Sequence, residues 1–577
     1  MKKELFTCLL LFICRLGYAT MPAIEPELLA VMSHMGEGEK AKICILLSEQ
    51  SDPIALLLEA EKYGSLDARR QYVVSTLQHQ AEAAQADLLG LLEEMESVGR
   101  VEDIKPLWIV NAVSCKASKT VILDLLQRRD ILSIDYCEQS QWILEDEASL
   151  APRGNGREIT QNLLQVNAPQ VWEQGYTGQG ILVAIIDTGV NYDHADLAGR
   201  LWDGGTSYPH HGYDFSDNDN DPMDRHGHGT HVAGTVCGTG ASGSQTGIAP
   251  SATIMALKAF NDQGEGDETQ WIAAMQFALE HGADVINMSL GRPQPNGSQK
   301  RMVRQACDNT LAAGVVASVC AGNIRQMQFL VPPPYNIYTP GDCPPPMLHD
   351  DQMVNAGGTS CVICVGAVNY DDNIASFSSE GPSQWADVPE YGDYPYAEGS
   401  ATQIGLIRPD ICAPGVQIKS LDCNNVNGYT LMDGTSMATP LVTGTIALML
   451  SKNRELTPMQ IDQILENTAV KITDHKSNDY GAGRLDALAA VNAVDYDALV
   501  ETEPCQPIVY PNPSMGSITI YCEGMWRVEI FSMDGKKVKN LEVNSSQCQI
   551  KGLQSGVYLV RVISESGGTS SKKLLVR

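Results

Sequence analysis

The chain of 577 residues is longer than one hydrophobic core usually serves, so we expect several domains. Its apolar fraction of 43% is that of an ordinary globular protein. The formal net charge of −30 argues against nucleic acid or an anionic membrane as a partner, because both would repel an acidic surface.

Residues 1–19 have the pattern of an export signal. Lys2 and Lys3 form a positive end, the apolar run LFTCLLLFIC follows, and small residues near Ala19 offer a cleavage site. This run is too short to span a bilayer, and no later run is long enough. We therefore expect an exported protein without a membrane span. Its 16 cysteines lie mostly in apolar runs, which favours buried thiols and leaves any disulfide pairing open.

Residues 24–145 predict a small α/β module. KICILLS indicates a strand, and residues 66–96 carry a long amphipathic helical pattern. LWIVNAVSC, KTVILDLLQRR and ILSIDYCE then predict a strand, a helix and a strand. The polar stretch EDEASLAPRGNGREIT that follows is typical of an exposed linker open to proteolysis.

Residues 160–495 predict an α/β domain with a doubly wound, mostly parallel sheet. Continuous apolar runs such as ILVAIID, ADVINMSL and CVICVGAVN alternate with helical stretches such as ETQWIAAMQFALEHG. Strands that are apolar on both faces indicate a sheet covered on both sides. Polar residues follow three of these strands, namely Asp187, Ser289 and Asn323. We expect them to meet where the carboxyl ends of the strands form a crevice.

Residues 505–577 alternate apolar and polar side chains, as in SITIYCE and GVYLVRV, with a turn signal at Asp534-Gly535. This pattern predicts a small antiparallel β-sandwich that folds independently of the rest.

Three separated motifs carry the residue types of nucleophilic catalysis. IIDTGVNYDHADL contains Asp187, DRHGHGTHVAGT contains His228, and DGTSMATPLVTG contains Ser436 at the start of an apolar helix. A serine hydroxyl becomes a nucleophile when an imidazole takes its proton and a carboxylate orients that imidazole. Taken singly, Ser436 could instead cap its helix, and Asp187 could be a strand-end turn former.

Together with INMSLG, AGN and RPDICAPG, these motifs resemble the subtilisin-like serine proteases in sequence and order. The resemblance implies that Ser436 attacks the scissile carbonyl, His228 acts as base and then acid, and Asp187 orients it, with no cofactor in catalysis. It also implies that Asn323 and the Ser436 backbone N–H bind the oxyanion. Pairing of the cleft with an extended polypeptide substrate would involve the following residues: Ser289, Leu290, Gly291, Ala321 and Gly322.

Two alternatives compete with this interpretation. A zinc hydrolase could use the cluster of His226, His228 and His231, although their spacing is not that of a helical HExxH motif. A catalytically silent surface-binding protein could keep the fold without the activity.

The loop YDFSDNDNDPMDRHG is rich in carboxylates, which are the ligands that calcium prefers. A structural Ca²⁺ ion is therefore a hypothesis, with the following candidate ligands: Asp214, Asp217, Asp219, Asp221 and Asp224. The competing interpretation is a solvated acidic loop.

The two flanking modules also resemble known domains. The first is similar to the inhibitory propeptide of the same proteases, which implies a zymogen cut between Ile143 and Thr160; a permanent binding domain is the alternative.

The last, with YPNPSMG and LQSGVYLVRV, resembles the sorting domain of the type IX secretion system. That implies export through the periplasm of a Gram-negative bacterium to the medium or the cell surface, whereas the competing interpretation is a carbohydrate- or protein-binding module.

Overall fold

The computed structural model describes most of the chain in blocks separated by gaps. The blocks are 22–143, 149–150, 158–293, 297–346, 360–385, 405–494 and, apart from 511, 513, 515, 523–524, 533–535, 544–546 and 565–568, 507–576. The predicted export signal, most of the predicted linker and the Asp534-Gly535 turn lie outside the described residues.

The N-terminal unit, residues 22–143, is a five-stranded sheet packed against helices. Its strands, in sheet order, are Ala23–Ile24, Ile131–Tyr136, Lys40–Leu47, Ala112–Ser118 and Val101–Leu107. All neighbours are antiparallel except the first pair. Its helices are Pro26–His34, Pro53–Ala60, Leu66–Ser97 and Lys119–Leu125. Leu88 and Leu92 of the long helix are fully buried against the sheet, as its amphipathic pattern predicts.

LWIVNAVSC is not the single strand that its apolar run predicts. A 3₁₀ turn, Trp108–Val110, separates two strands, and Asn111 follows it with φ of 42°. Asparagine tolerates this left-handed conformation better than most residues do, so the chain reverses direction there. The prediction was wrong because the apolar side chains of this turn, Trp108, Ile109 and Val110, are buried in a cluster that includes helices of the central domain, outside the unit's own sheet.

The central domain, residues 158–494, contains a seven-stranded sheet in which every neighbouring pair is parallel. The strands, in sheet order, are Gly212–Asp214, Thr253–Lys258, Leu182–Asp187, Val285–Met288, Val316–Cys320, Val362–Val368 and Ile411–Pro414. The next two sheet strands along the chain lie on one side of Leu182–Asp187, and the four strands after them lie on the other side. Asp187 therefore ends a strand at the switch point, where crevices form in such sheets. The predicted fold class is confirmed.

Helices cover both faces of this sheet. They are Gln161–Gln165, Ala168–Glu173, His228–Cys237, Glu268–Glu280, Gly297–Ala312, Thr435–Lys452, Pro458–Thr468 and Ala487–Ala493. We call His228–Cys237 the histidine helix and Thr435–Lys452 the serine helix; the two pack against each other. The serine helix is buried from Thr435 to Leu450, because it lies beneath the sheet rather than on the surface.

Three short strands, at residues 140–141, 149–150 and 158–159, pair with strands of the central domain. Ser140–Gln141 runs antiparallel to Glu265–Gly266. Ser149–Leu150 adds to the hairpin formed by Ile418–Leu421 and Tyr429–Met432. A further pair joins Glu158–Ile159 to Ser244–Gln245. The chain that leaves the N-terminal unit is thus held by edge strands of the central domain.

The C-terminal unit, residues 507–576, has two antiparallel sheets, as the alternating pattern predicts. One contains Ile508–Tyr510, Ser517–Tyr521 and Gln547–Lys551, and the other contains Lys537–Glu542, Met525–Ser532, Gly556–Ser564 and Thr569–Val576. Ile520, Val528 and Val560 are fully buried between them. Across the described parts of the whole chain, no helix combines the length and apolarity needed to span a bilayer.

Candidate active site

Asp187 and His228 are in direct contact. Asp187 Oδ1 lies 2.7 Å from His228 Nδ1 and also accepts a hydrogen bond of 2.8 Å from the Thr188 backbone N–H. Both side chains are buried, with exposed fractions of 0% and 3%. A buried carboxylate on Nδ1 keeps the proton on that nitrogen, so Nε2 can serve as a base.

Glycine allows this contact to form. Gly229 is the second residue of the histidine helix and packs closely on the turn that follows Asp187. A Cβ added to it would lie 2.0 Å from the carbonyl oxygen of Gly189. The same Cβ would lie 3.1 Å from Asp187 Cβ. A larger residue would push the helix away, so the HGT sequence sets how near His228 lies to Asp187.

Ser436 is the second residue of the serine helix and is 7% exposed. Its carbonyl oxygen accepts a hydrogen bond of 2.8 Å from Ser289 Oγ, and its own Oγ lies 3.5 Å from the Ser289 carbonyl oxygen. The N-cap position of this helix is Gly434, and Ser436 lies inside the first turn, so the alternative of Ser436 as a capping residue is wrong. Since Ser289 follows the strand beside Asp187, Ser436 lies at the carboxyl edge of the sheet.

Asn323 is fixed to the residue that precedes Ser436. Its Oδ1 accepts hydrogen bonds from the Thr435 backbone N–H at 3.0 Å and from Thr435 Oγ1 at 2.9 Å. Thr435 Oγ1 also accepts from the Gly322 N–H at 3.1 Å. With the carbonyl oxygen engaged, the other polar group of Asn323 is an N–H donor beside the start of the serine helix. Sequence reasoning missed Thr435, although its place next to Ser436 was the available signal.

Two backbone edges hold an extended segment of the chain itself. The Gly291 N–H donates to the Trp142 carbonyl oxygen at 3.2 Å, and Ser140–Gln141 pairs with Glu265–Gly266 on the other side. Gly291 was predicted to pair with a substrate, whereas the edge Glu265–Gly266 was not predicted. A strand of two residues is too short to show a periodic pattern.

The prediction that Ala321 and Gly322 pair with a substrate backbone is not supported. The Ala321 N–H donates to Val365 O and its carbonyl oxygen accepts from Tyr338 N–H, both at 2.9 Å. Gly322 likewise bonds Thr435 through its N–H and Ser379 N–H through its carbonyl oxygen. These backbone groups are therefore already engaged within the domain.

Residues 178–483, more than half of the chain, match the family model described as Subtilase family. The chain belongs to the subtilase family. Residues 508–577 match the model described as Secretion system C-terminal sorting domain. This type IX sorting domain marks the subtilase for secretion or the cell surface.

Curated relatives include subtilisins and one protein named as a serine protease. The subtilase is 30% identical to subtilisin E of Bacillus subtilis (strain 168), over 75% of this chain and 93% of the relative. It is 30% identical to serine protease AprX of the same organism, over 66% of this chain and 78% of that protein. With bacillopeptidase F of that organism the identity is 29%, and the match spans 77% of this chain but only 30% of that longer protein.

A solved structure titled as a cold adapted subtilisin-like serine proteinase is 29% identical to this subtilase. The match covers 54% of this chain and 90% of that chain, with a TM-score of 0.39.

The five aspartates proposed as calcium ligands lie in the loop before the histidine helix of this subtilase. Asp214, Asp219 and Asp221 each accept a hydrogen bond from a nearby backbone N–H or from Tyr192 OH. Within the residues that the structure describes, no group of three or more His, Cys, Asp or Glu side chains is placed to hold a metal ion. Calcium binding through this ligand set, to which Asp217 also belongs, stays a prediction.

Asp224 has a structural role in this loop. Its two carboxylate oxygens accept hydrogen bonds from the backbone N–H groups of His226, Gly227 and Thr230, and from the hydroxyls of Thr188 and Thr230. The side chain thereby ties the loop before the histidine helix to the residue after Asp187. Five donors saturate the carboxylate, which leaves little capacity for a cation.

The zinc alternative also lacks support in the geometry. His231 is fully buried, its Nε2 contacts the Ile418 carbonyl oxygen at 3.0 Å, and burial lowers its pKa to about 3. It is therefore neutral and packs inside the subtilase domain, while Asp187 engages His228. The described part of the chain places no third ligand beside His226.

The cysteines that the structure describes are all free thiols. They are buried, except for Cys423 and Cys548, which are half-buried. For these residues, the prediction that cysteine serves as a small apolar side chain is confirmed.

Proposed function

We propose that this subtilase is an exported serine endopeptidase, made as a zymogen, that cleaves polypeptides through an acyl-enzyme. The observation that carries the proposal is the 2.7 Å contact between Asp187 and His228 at the strand edge where the serine helix begins. Neither a turn former nor a binding module needs a fully buried carboxylate on an imidazole nitrogen.

In the first step, His228 Nε2 takes the hydroxyl proton of Ser436 as Oγ attacks the substrate carbonyl carbon. Asp187 stabilises the imidazolium that forms. The proton then passes from His228 to the leaving amine, and a water molecule repeats the sequence to release the acyl group. The positive end of the serine helix favours the negative charge that develops beside Ser436.

The oxyanion of the tetrahedral intermediate would accept hydrogen bonds from the Asn323 amide and the Ser436 backbone N–H. Thr435 supports this role, because its two bonds to Asn323 Oδ1 orient the amide. Loss of one donor of this kind typically costs about 3 kcal/mol of transition-state stabilisation.

A fluorophosphonate probe tests the nucleophile directly. We expect it to phosphonylate the secreted protein on the peptide that contains Ser436, because an activated serine attacks phosphorus as it attacks a carbonyl. Tandem mass spectrometry would locate the adduct. Heat-denatured protein is the control and should not react. A folded protein that leaves the probe unreacted would instead support the silent surface-binding alternative.

Contacts between the N-terminal unit and the central domain support an inhibitory role for that unit. Trp108 Nε1 donates to Glu280 Oε1 at 2.6 Å, and Arg70 Nη1 donates to the Ala283 carbonyl oxygen at 2.7 Å. Asn309 Nδ2 donates to the Ile109 carbonyl oxygen at 2.6 Å. The unit thus covers two helices of the central domain. Its last strand, Ser140–Gln141, pairs with Glu265–Gly266, which we call the substrate edge because an extended substrate would pair there. As long as that strand stays there, a polypeptide substrate cannot pair with this edge.

We expect the chain to cut itself between Ile143 and Thr160. The segment before the cut pairs with Glu265–Gly266, and Ser149–Leu150 pairs with Tyr429–Met432, the strand that leads to Ser436. N-terminal sequencing of the secreted wild type should find a new terminus in this interval, whereas Ser436→Ala should remain uncut there. The same cut in both proteins would assign processing to another protease.

The tail would take the subtilase through the periplasm of a Gram-negative bacterium to the type IX secretion machinery. Its match to the sorting-domain model supports this route. The acidic surface agrees with a protein released from, or held at, the cell surface rather than bound to nucleic acid.

A further inference from the structure

Residues 326–335, which we call the apolar loop, carry large apolar side chains on the surface of the central domain. Phe329 is 81% exposed and Leu330 is 62% exposed, and Met327 and Tyr335 of the same loop are exposed as well. The loop has the sequence QMQFLVPPPY, which contains no charged residue. Single apolar residues are normal on a surface, whereas several on one loop mark a site that binds a partner.

The base of the apolar loop is held in place by buried polar contacts. Asn336 is fully buried, and its Nδ2 donates to the carbonyl oxygens of Ile324 at 3.3 Å and Val331 at 2.8 Å. Its Oδ1 accepts a hydrogen bond of 3.0 Å from the Glu380 N–H. Arg325 forms an ion pair of 2.6 Å with the Glu380 carboxylate. Because both ends of the loop are ordered in this way, little conformational entropy opposes binding to its tip.

The apolar loop is continuous with the active-site cleft at both ends. Phe329 is six residues from Asn323, the predicted oxyanion donor, a stretch that spans at most about 22 Å. After the loop, the Tyr338 N–H donates to the Ala321 carbonyl oxygen at 2.9 Å. A Cβ on Gly322 would lie 2.7 Å from Tyr338 Cγ, so this segment packs directly on the strand that carries Asn323.

The sheet order places the apolar loop on the far side of the cleft from the substrate edge. The substrate edge follows Thr253–Lys258, Gly291 follows Val285–Met288, and the apolar loop follows Val316–Cys320. These three strands lie in that order along the sheet. A polypeptide that pairs with the substrate edge and with Gly291 therefore has the apolar loop beyond Gly291, outside the residues that the two backbone edges hold.

The loop fits a polypeptide better than a second copy of the chain or a membrane. A stable dimer needs roughly 20–30 residues on each side, and this loop is much smaller. A membrane-binding segment typically has Lys or Arg beside its apolar residues, and residues 326–335 contain neither. A polypeptide that already lies in the cleft needs only a second contact, which costs less entropy than a new association.

We propose that the apolar loop is a second binding surface for protein substrates, which takes apolar side chains of an unfolded polypeptide at a distance from the scissile bond. The inference rests on the proposed function, since the polypeptide is the one that Ser436 cleaves. Folded proteins bury most of the apolar side chains that the loop would contact, whereas an unfolded chain exposes them and can reach the cleft and the loop together. The loop thereby favours long, unfolded, apolar polypeptides over short peptides and folded proteins.

The test replaces the tip by Phe329→Ser together with Leu330→Ser and uses the secreted, processed protein. We expect kcat/KM for unfolded casein to fall roughly tenfold, because two large apolar side chains no longer contact the substrate. The loss should lie in KM, since the contact is the same in the ground state and in the transition state. The rate of labelling by the fluorophosphonate probe should stay within about twofold of wild type, because that probe is too small to reach the loop.

The matched control is Leu164→Ser together with Met459→Ser. These residues belong to the same domain, lie outside the apolar loop and are 45% and 40% exposed. Their replacement removes a similar amount of apolar surface, so casein hydrolysis and probe labelling should both stay within about twofold of wild type. Melting temperatures of both double variants show that the domain stays folded.

The outcomes separate this inference from the proposed function. If the loop variant hydrolyses casein with the kcat/KM of the wild type, the loop does not bind the substrate and the inference is wrong. It is also wrong if that variant loses only sedimentation with phosphatidylcholine vesicles or only a dimer in gel filtration, which would assign the loop to a membrane or to a second copy. An equal fall in probe labelling and casein hydrolysis would indicate damage to the active site and would contradict the inference too. If the wild type neither reacts with the probe nor hydrolyses casein, the proposed function itself fails.

Discussion

Ser436→Ala should lower kcat for casein hydrolysis by roughly 10⁶-fold, the scale of nucleophile loss in a serine protease triad. Alanine removes the only atom that can form the acyl-enzyme. It costs the fold little, because among the described residues Ser436 Oγ makes one long contact, of 3.5 Å, to the Ser289 carbonyl oxygen. Initial rates with fluorescently labelled casein measure the effect.

The matched control is Ser451→Ala, near the other end of the same helix. In the described part of the chain, Ser451 Oγ donates to the Leu448 carbonyl oxygen, at 2.7 Å, so the substitution tests helix integrity without touching the site. Its activity should stay within about twofold of wild type. If Ser436→Ala kept wild-type rates at an unchanged melting temperature, Ser436 would not be the nucleophile.

Asp187→Asn should lower kcat by roughly 10⁴-fold, which corresponds to about 5.5 kcal/mol of lost transition-state stabilisation. The amide keeps the shape of the carboxylate but can offer an N–H to His228 Nδ1. That reverses the tautomer and leaves Nε2 protonated, so it cannot accept the proton of Ser436. The loss should lie in kcat rather than KM, because Asp187 is buried and does not touch the substrate edge.

Asp193→Asn is the control for this substitution. Asp193 lies six residues further along the same loop and is exposed, so the change removes a charge without reaching His228. We expect kcat within about twofold of wild type. An equal loss of activity in both variants would indicate a general effect of charge on the loop and would contradict the orienting role of Asp187.

The apolar pattern predicted the central sheet well because its strands are buried on both faces. The runs ILVAIID and CVICVGAVN form the strands Leu182–Asp187 and Val362–Val368 almost as the sequence indicates. A residue that follows such a strand lies at the carboxyl edge in any parallel sheet. Asp187 and Asn323 could therefore be assigned to one crevice without knowledge of the tertiary contacts.

The predictions that failed depended on partners distant in the sequence. LWIVNAVSC has the composition of a strand, but helices of the central domain bury its Trp108–Val110 turn. Ala321 and Gly322 have ordinary backbone groups, and only the fold reveals that those groups are bonded to neighbouring segments. Composition identified acidic side chains, but it could not indicate that Asp224 is saturated by five donors.

The sequence by itself determined the order of three domains, the parallel class of the central sheet, and the residue types that carry the chemistry. These follow from hydrophobic periodicity and glycine placement, which act over a few residues. The tertiary structure decided how Thr435 fixes Asn323, which edge holds an extended chain, and that Trp142 fills a pocket in another domain. Contacts between residues more than a hundred positions apart depend on packing and strand register, which no local pattern encodes.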